Sequence, residues 1–262
     1  QERGKTDRLR GKEGKCVMKK IPVCSVLGVH IAAIDMKTTL DYIQQNIREL
    51  KGKYICVSNV HTTVMSYEND EYRNIQNSGA LALPDGKPLS VVCRKRGFSG
   101  ADRVTGPDLM REIFEVSEAC GYRHYFYGST PETLKLLTEK VEEKYHLAIV
   151  GLESPPFRKL TEEEDRKVVE RINAARADFV WVGLGAPKQE KWMYEHKGRI
   201  NGLMIGVGAG FDYFAGNIKR APMWMQKCSL EWLYRLMQDP KRLFKRYLVT
   251  NTKFLWLTAK GK

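Results

Sequence analysis

The sequence predicts an α/β protein with a mostly parallel β-sheet and flanking helices. Short strand-like runs alternate with longer segments whose apolar residues recur at helical spacing. The clearest unit is a strand at residues 122–127, a Gly128-Ser129 turn, a helix at 131–144 and a strand at 147–150. A strand–helix–strand unit of this length is typical of parallel neighbours in one sheet. Hydrophobic residues make up 42% of the chain, which is enough for a sizeable core and excludes wholesale disorder.

The N-terminal part of the sequence divides into a basic leader and a predicted hairpin. Residues 1–20 hold eight basic and three acidic residues, and we expect them to form a flexible leader. Residues 21–34 are mildly apolar and favour two short strands joined by a turn at Leu27-Gly28. The alternative is a signal peptide that starts at Met18, but polar and turn-forming residues interrupt the apolar run.

Alternating helices and strands follow as far as residue 207, and the predicted core covers residues 21–216. Pro107 at the start of one helix, with Asp108 in its first turn, is typical of a helix N-terminus. The predicted helices cover residues 38–50, 62–77, 107–120, 131–144, 161–176 and 188–196. The predicted strands cover residues 54–57, 80–83, 122–127, 147–150, 179–183 and 203–207.

The last predicted region, residues 217–262, is a basic amphipathic helical appendage. It holds eleven basic and two acidic residues, whereas the core is nearly neutral and the whole chain carries a net charge of +13. Apolar residues and cations interleave, and Pro240 divides two helical segments. Such helices can lie on an anionic membrane surface, and the alternative is an ordinary surface helix packed on its own domain. No apolar run reaches the roughly 20 residues that a membrane-spanning helix needs.

Polar residues follow two of the predicted strands, and open parallel sheets bind ligands beyond such strand ends. Asn59 comes after the strand at 54–57, where it either contacts a polar ligand or caps the next helix. Asp85 lies in a Pro-Asp-Gly turn after the strand at 80–83. A carboxylate at this place can act as general base for a hydroxyl nucleophile, although Asp-Gly is also a common turn pair.

A glycine loop follows the strand at 179–183 and favours an anionic ligand. The loop passes through Gly185 into a helix start, where free backbone N–H groups attract negative charge. Lys188 and Gln189 add polar side chains beside it. A purely structural glycine turn is the alternative interpretation.

A second glycine-rich segment follows the last predicted strand. Gly208 and Gly210 let a ligand approach the backbone closely. Asp212 can accept a hydrogen bond from a ribose or a base, and Arg220 further on can neutralise a phosphate. The sequence has no Asp-x-Asp metal motif, no histidine-rich cluster, no nucleophile elbow, no Walker A loop and no dinucleotide fingerprint.

Taken in order, these segments resemble the WecG/TagA/CpsF family of bacterial glycosyltransferases from about Ile21 to Tyr247. The sequences GAPKQEKW and EWLYRL are the most specific parts of the resemblance. The matching segments are Asn59, Pro84–Gly86, Asp102–Asp108, Gly185–Trp192, Gly208–Asp212, Ala215-Gly216, Lys219–Pro222 and Glu231–Leu236.

The resemblance implies a Rossmann-like core of this family's own glycosyltransferase type, termed GT-E, with a C-terminal appendage at the membrane. It implies inverting transfer of an N-acetylmannosamine-like sugar or a hexose from a UDP-sugar to a sugar on undecaprenyl pyrophosphate. Such products belong to teichoic acid or other cell-surface polysaccharides. It further implies a peripheral protein on the cytoplasmic face of the cell membrane, and we expect a homo-oligomer.

The resemblance also assigns roles to particular residues. It implies that Asp85 is the catalytic base, and because cationic groups can stabilise the leaving diphosphate we expect no cofactor and no strict metal requirement. Val57 stands where wall-teichoic members tend to carry a threonine, so the donor sugar is left open; Ser58 or Thr62 could supply the missing hydroxyl. The expected donor and UDP contacts are Asn59, Arg103, Gly185, Lys188, Gln189, Gly208, Gly210 and Asp212. The expected contacts to the acceptor pyrophosphate or the membrane are Arg220, Arg235, Arg242 and Arg246.

Three other functions are weighed against this hypothesis. A nucleic-acid-binding protein would fit the basic termini, but no recognised nucleic-acid module is present. A non-catalytic membrane adaptor would need the appendage only, and it would not need polar residues at several strand ends. A nicotinamide oxidoreductase would carry a dinucleotide fingerprint, which is missing.

Overall fold

The computed structural model describes residues 20–228 and 230–261, without the side chains of Lys227 and Arg242. The predicted leader therefore lies outside the described residues, apart from Lys20. The strands are Val23–Val26 (β1), Val29–Ala32 (β2), Tyr54–Ser58 (β3), Leu81–Pro84 (β4), Arg123–Gly128 (β5), Ala148–Glu153 (β6), Phe179–Gly183 (β7) and Leu203–Gly206 (β8). The helices are Met36–Leu50 (α1), Val60–Glu68 (α2), Asp70–Asn77 (α3), Lys87–Lys95 (α4), Gly106–Cys120 (α5), Pro131–Glu142 (α6), Glu162–Ala174 (α7), Lys188–Glu195 (α8), Gly210–Ala215 (α9), Met223–Lys227 (α10), Glu231–Gln238 (α11) and Pro240–Ala259 (α12).

All eight strands join one sheet in the order β1-β2-β4-β3-β8-β7-β5-β6. Every pairing is parallel except that of β1 with β2, which form the expected hairpin. Its turn uses Leu27 and Gly28 with positive φ values of 51° and 84°. The predicted α/β class with a mostly parallel sheet is confirmed, because helices pack on both faces of the sheet.

Two apolar layers hold the helices to the sheet, one on each face. Successive strand residues point to opposite faces, so Phe179 and Trp181 pack in one layer and Val180 and Val182 in the other. The first layer includes Phe114 of α5, whose ring meets Trp181 edge-on at 5.6 Å between centroids. Because both faces are covered, the central strands are apolar throughout rather than alternating.

The prediction of one helix over residues 62–77 is wrong. The structure has two helices there, which meet at Asn69. The Asn69 side chain accepts a hydrogen bond from the backbone N–H of Tyr72 and caps α3, so the asparagine starts a new helix instead of continuing the first. Helix α4 was not predicted, because its nine residues follow the Asp-Gly turn directly and contain a proline near their start.

The predicted appendage contains helices α10, α11 and α12, and Pro240 begins the last of them, as expected. Helix α12 packs along α2, with Phe254 and Leu257 buried and Lys253 paired with Glu68. No helix among the described residues has the length and apolarity to cross a membrane.

Candidate active site

Four neighbouring strands, β4, β3, β8 and β7, end at one edge of the sheet. The residues that follow them are Asp85, Asn59, Gly208 and Gly185, all of them singled out in the sequence. Parallel neighbours bring their carboxyl ends together, so these residues line a common crevice at that edge.

Backbone pairing fixes the position of Asp85. Its N–H donates to the carbonyl of Ser58 at 2.7 Å, which continues the β3–β4 ladder by one residue. Gly86 follows with a φ of 96°, a conformation that few residues other than glycine adopt. The Val104 N–H donates to the Pro84 carbonyl at 2.9 Å, which brings Arg103 to the same strand end.

Asn59 caps helix α2. Its side-chain oxygen accepts from the Thr62 N–H at 3.1 Å, and the Thr62 hydroxyl accepts from the Asn59 N–H at 2.9 Å. Its side chain also forms a hydrogen bond to Asp85. The Ser58 and Thr62 hydroxyls are buried and bonded within the protein, Ser58 to Gln76 at 2.6 Å. A donor contact from either hydroxyl stays a prediction.

One carboxylate, Asp108, holds two arginines beside the crevice. Arg220 binds it through both terminal nitrogens at 2.7 and 3.0 Å, and Arg103 binds it at 3.1 Å. Burial alone would raise the pKa of Asp108, but hydrogen bonds from Arg220 and Thr105 hold it well below its usual value. Asp108 therefore stays ionised and fixes both guanidinium groups in the crevice.

Helices α10 and α11 lie over this arginine pair as a lid, a term used here for residues 223–228 and 230–238. Gln226 accepts from Arg103 and from Arg220, each at 3.3 Å, and Glu231 accepts from Arg103 at 2.7 Å. Arg235, one turn after Glu231, lies over the Tyr213 ring at 5.6 Å from its centroid. None of the α11 side chains is fully buried, and the helix reaches the crevice through the Glu231–Arg103 ion pair and the Arg235–Tyr213 contact.

The electrostatics of the crevice change the acidity of Asp85. Burial raises the pKa of Asp85 most, the nearby Glu231 carboxylate raises it as well, and Arg103, Arg235 and Asn59 lower it. The net pKa of Asp85 is about 7. A carboxylate with a pKa near neutrality accepts a proton from a hydroxyl better than an ordinary one. Such a perturbed acid in a crevice, next to fixed cations, is typical of a catalytic site.

A family model for glycosyl transferases of the WecG/TagA/CpsF family matches residues 24–262 of this chain. The chain belongs to this family. The protein is therefore a glycosyl transferase, as the sequence predicted, and the crevice is its candidate active site.

Two curated relatives of this glycosyl transferase bear the same printed name, N-acetylglucosaminyldiphosphoundecaprenol N-acetyl-beta-D-mannosaminyltransferase. The protein from Bacillus subtilis strain 168 is 30% identical over 218 residues, which cover 82% of each chain. The protein from Bacillus spizizenii is 29% identical over 202 residues, covering 77% of this chain and 76% of the relative.

Gln189 of the transferase lies beneath the crevice and is buried. Its side-chain oxygen accepts from the Gly208 N–H at 3.0 Å, and its nitrogen donates to Glu190 at 2.8 Å. It thereby fixes the glycine segment after β8, where Gly208 has a φ of 55°. The structure thus shows Gln189 organising the loop, while the direct donor contact expected from the sequence stays a prediction.

The remaining expected donor contacts surround the glycine segments. Gly185, with a φ of 76°, has open space where a side chain would start, and Lys188 is exposed in the first turn of α8. Gly210 begins α9 and is buried, and the Asp212 carboxylate accepts from Asn217 at 3.2 Å. Their donor contacts also stay predictions.

The expected appendage arginines are divided between two places. Arg220 and Arg235 belong to the crevice, whereas Arg246 of α12 lies near His61 in the first turn of α2. The Arg246 Nε and the His61 Nδ1 are both buried without a hydrogen-bond partner. The side chain of Arg242 lies outside the described residues.

Sequence reasoning gave no site role to four residues that the structure brings into the crevice: Asp108, Tyr213, Gln226 and Glu231. Asp108 was interpreted as a helix-start acid and as the last residue of a matching segment, without a role in the site. Glu231 stood inside a specific motif, and its negative charge in a strongly basic appendage was an available signal. Among the described residues, no group of three or more His, Cys, Asp and Glu is arranged to hold a metal ion.

Proposed function

We propose that this protein transfers N-acetylmannosamine from a UDP-linked donor to the N-acetylglucosamine of a diphosphoundecaprenol-linked acceptor. Both curated relatives are named for that mannosaminyl transfer and that acceptor. The observation that carries the proposal is Asp85, with a pKa of about 7, at a strand end beside two arginines fixed by Asp108.

The proposed reaction is a single in-line displacement with inversion. Asp85 takes the proton of the acceptor hydroxyl while its oxygen forms a bond to the anomeric carbon of the donor sugar. The bond from that carbon to the diphosphate oxygen breaks, and UDP leaves from the opposite face. The protonated Asp85 then returns its proton to solvent.

The leaving diphosphate needs positive charge close by, and Arg103 and Arg220 are suited to supply it. Their guanidinium groups are already held by Asp108, so little reorganisation is needed as charge develops. Gln226 and Glu231 occupy part of the hydrogen-bonding capacity of these two arginines. We expect the diphosphate to take over the contacts of Gln226, while Glu231 keeps its contact with Arg103. We expect transfer to persist in the presence of a chelator.

The exposed face of the appendage supports a peripheral membrane site. Nine of the fifteen large apolar side chains that are exposed in the described part of the chain belong to residues 217–261, which marks this surface as exceptional. On α12, Phe244, Leu248 and Leu255 share one face by their spacing, and Lys241 and Lys245 are exposed beside them. Apolar side chains flanked by cations fit an anionic lipid surface.

The lid joins this surface to the crevice, since α11 continues directly into α12. An acceptor whose lipid tail stays in the bilayer would therefore present its diphosphate next to the arginines. The cytoplasmic face is the side we propose, because the donor is a nucleotide sugar. Self-association remains an expectation from the family resemblance, and sedimentation velocity of the full chain measures it.

The test is UDP release from a panel of donors: UDP-N-acetylmannosamine, UDP-N-acetylglucosamine, UDP-glucose and UDP-galactose. Each donor is assayed with and without a short-chain lipid-diphosphate N-acetylglucosamine acceptor, and with EDTA. We expect release from the N-acetylmannosamine donor in the arms with acceptor, both with and without EDTA, and no release in the arms without acceptor. Release from another donor would correct the sugar, and loss of activity with EDTA would correct the metal expectation. Absence of release from all donors, together with no binding of UDP, would contradict the proposal and favour a membrane adaptor.

A further inference from the structure

Glu231 is one of only two acidic residues in the basic region 217–262, and it points into the crevice. Its Oε2 accepts from Nη1 of Arg103 at 2.7 Å. The Glu231 and Arg103 side chains are only 23% and 13% exposed, so water screens this pair poorly. A surface helix that serves only to bind an anionic membrane has no use for a half-buried carboxylate at this place.

We propose that Glu231 is a positioning residue of the transfer reaction: from the lid, it aligns Arg103 and places a negative charge beside Asp85. This inference rests on the proposed function, because it acts through Asp85 as the base. Asp108 holds Arg103 from below at 3.1 Å, and Glu231 holds it from above through the other terminal nitrogen. Because Asp108 and Glu231 each bind one terminal nitrogen of Arg103, its guanidinium plane is held in one orientation.

The titratable groups that act most strongly on Asp85 among the described residues come from three elements around it. Arg103 comes from the loop before α5, Glu231 and Arg235 from α11, and Tyr213 from α9. Of the charges around Asp85, the Glu231 carboxylate has the largest effect on its pKa, and it raises that pKa. The docked lid therefore makes the Asp85 carboxylate a stronger base. If the lid were detached, Asp85 would be a weaker base.

The lid has attachments that do not involve Glu231, which makes the idea testable. The Gln238 side chain pairs with the backbone of Lys219 in both directions, at 3.2 and 3.1 Å. Gln226 contacts both arginines. A variant at position 231 should therefore retain a docked lid. A variant at 238 removes one attachment that does not involve Glu231, while Gln226 and Glu231 still hold the lid over the crevice and the charge near Asp85 is unchanged.

The experiment compares the pH dependence of kcat/KM for the full-length wild type, Glu231→Gln and Gln238→Ala. Removing the negative charge of Glu231 lowers the pKa of Asp85. The acid limb of the kcat/KM profile against pH should therefore move to lower pH in Glu231→Gln. Its plateau should fall about tenfold, because Arg103 loses one charge-assisted contact and the base becomes weaker. Gln238→Ala should keep the limb of the wild type. An unmoved limb in Glu231→Gln, or an equal shift in Gln238→Ala, would overturn the proposal.

Two further variants separate the possible failures. Asp85→Asn tests the proposed base: if it retains transfer, the proposed mechanism fails, whatever Glu231 does. If Asp85→Asn is inactive and the limb of Glu231→Gln does not move, the role of Glu231 alone is wrong. Should Glu231→Gln not fold, Glu231→Asp is measured instead. It keeps the charge but is too short for the same contact with Arg103, so its plateau should fall while its limb stays near that of the wild type.

Discussion

Asp85 occupies surroundings that favour its neutral form. Burial and the neighbouring Glu231 raise its pKa to about 7, although Arg103 and Arg235 partly compensate. Ionisation of Asp85 therefore destabilises the folded state. Such destabilisation is common where a side chain is positioned for chemistry rather than for stability.

Asp85→Asn should stabilise the protein at alkaline pH. In the wild type the folded pKa lies above the unfolded value near 3.8, so the folded state loses stability as pH rises from about 4 to 7. The asparagine does not titrate and avoids this loss. We expect the free energy of unfolding to rise by about 1–2 kcal/mol at pH 8, a discounted value because Asp85 is only half-buried.

Urea unfolding at pH 8, 6 and 4.5 measures this gain. It should shrink as pH falls toward the unfolded pKa. Asp41→Asn, which removes an exposed ion pair with Lys37, is the control and should show no comparable trend. A difference between Asp85→Asn and the wild type that does not vary with pH would contradict the elevated pKa.

Asp108→Asn should weaken both stability and donor binding. The change leaves Arg220 without its two charge-assisted contacts and Arg103 with Glu231 alone among carboxylates. Breaking a buried ion pair from one side costs about 3 kcal/mol, because the remaining cation is left uncompensated. Thermal unfolding measures the first effect, and calorimetric titration with UDP measures the second. Wild-type UDP affinity in this variant would show that the arginines do not hold the diphosphate.

At the scale of elements, the helices of the appendage differ in how they are attached. Helix α12 buries Phe254 and Leu257 against α2, as a core helix does, whereas α11 has no fully buried side chain. Apolar burial attaches α12 stably to the core. The polar contacts of α11 are weaker and can be replaced by contacts with a ligand. The predicted boundary at residue 217 thus marks a change in amino-acid composition. It does not mark a separate folding unit, because α12 packs on α2 of the core.

Two neighbouring substitutions on α12 test this distinction. Phe254→Ala should lower the free energy of unfolding by about 3 kcal/mol, since it leaves a cavity between α12 and α2. Leu255→Ala changes a side chain that is 67% exposed, and it should stay within about 0.5 kcal/mol of the wild type. Chemical denaturation measures both. Equal small effects would mean that α12 is not part of the folded core.

At the scale of the whole molecule, the appendage combines a high positive charge with many exposed apolar side chains. The nearly neutral core carries the crevice, and the appendage carries most of the exposed aromatic and aliphatic side chains. Exposed apolar surface of this extent is unfavourable in water, so it indicates that the appendage contacts a membrane or another apolar surface.

A double variant, Phe244→Ser with Leu248→Ser, should reduce binding to vesicles of phosphatidylglycerol and phosphatidylcholine by about 30-fold. Each substitution removes roughly 1 kcal/mol of apolar transfer energy at the lipid boundary. Leu136→Ser with Phe157→Ser, two exposed apolar residues on the core, is the matched control. Binding should also weaken as salt is added, because cations contribute. Equal binding of both double variants would place the lipid contact elsewhere.

Much of the architecture follows from local sequence. Short strand-like runs predicted the strands, and turn residues predicted the hairpin at Leu27-Gly28. A proline predicted the helix start at Pro107. These signals are sufficient because they act over a few residues. The break at Asn69 was missed because an asparagine cap is weak against the apolar pattern around it. Strand-end residues such as Asp85 were found because parallel sheets place ligands by rule.

The sequence by itself determined the family, the α/β class and the polar residues at the strand ends, since motif spacing and periodicity are local properties. Only the tertiary structure decided which of these residues meet. Asp108 gathers Arg103 and Arg220 across more than a hundred residues, and Glu231 reaches Arg103 from the appendage. The acidity of Asp85 depends on these neighbours and on burial, and both arise only when distant segments pack together.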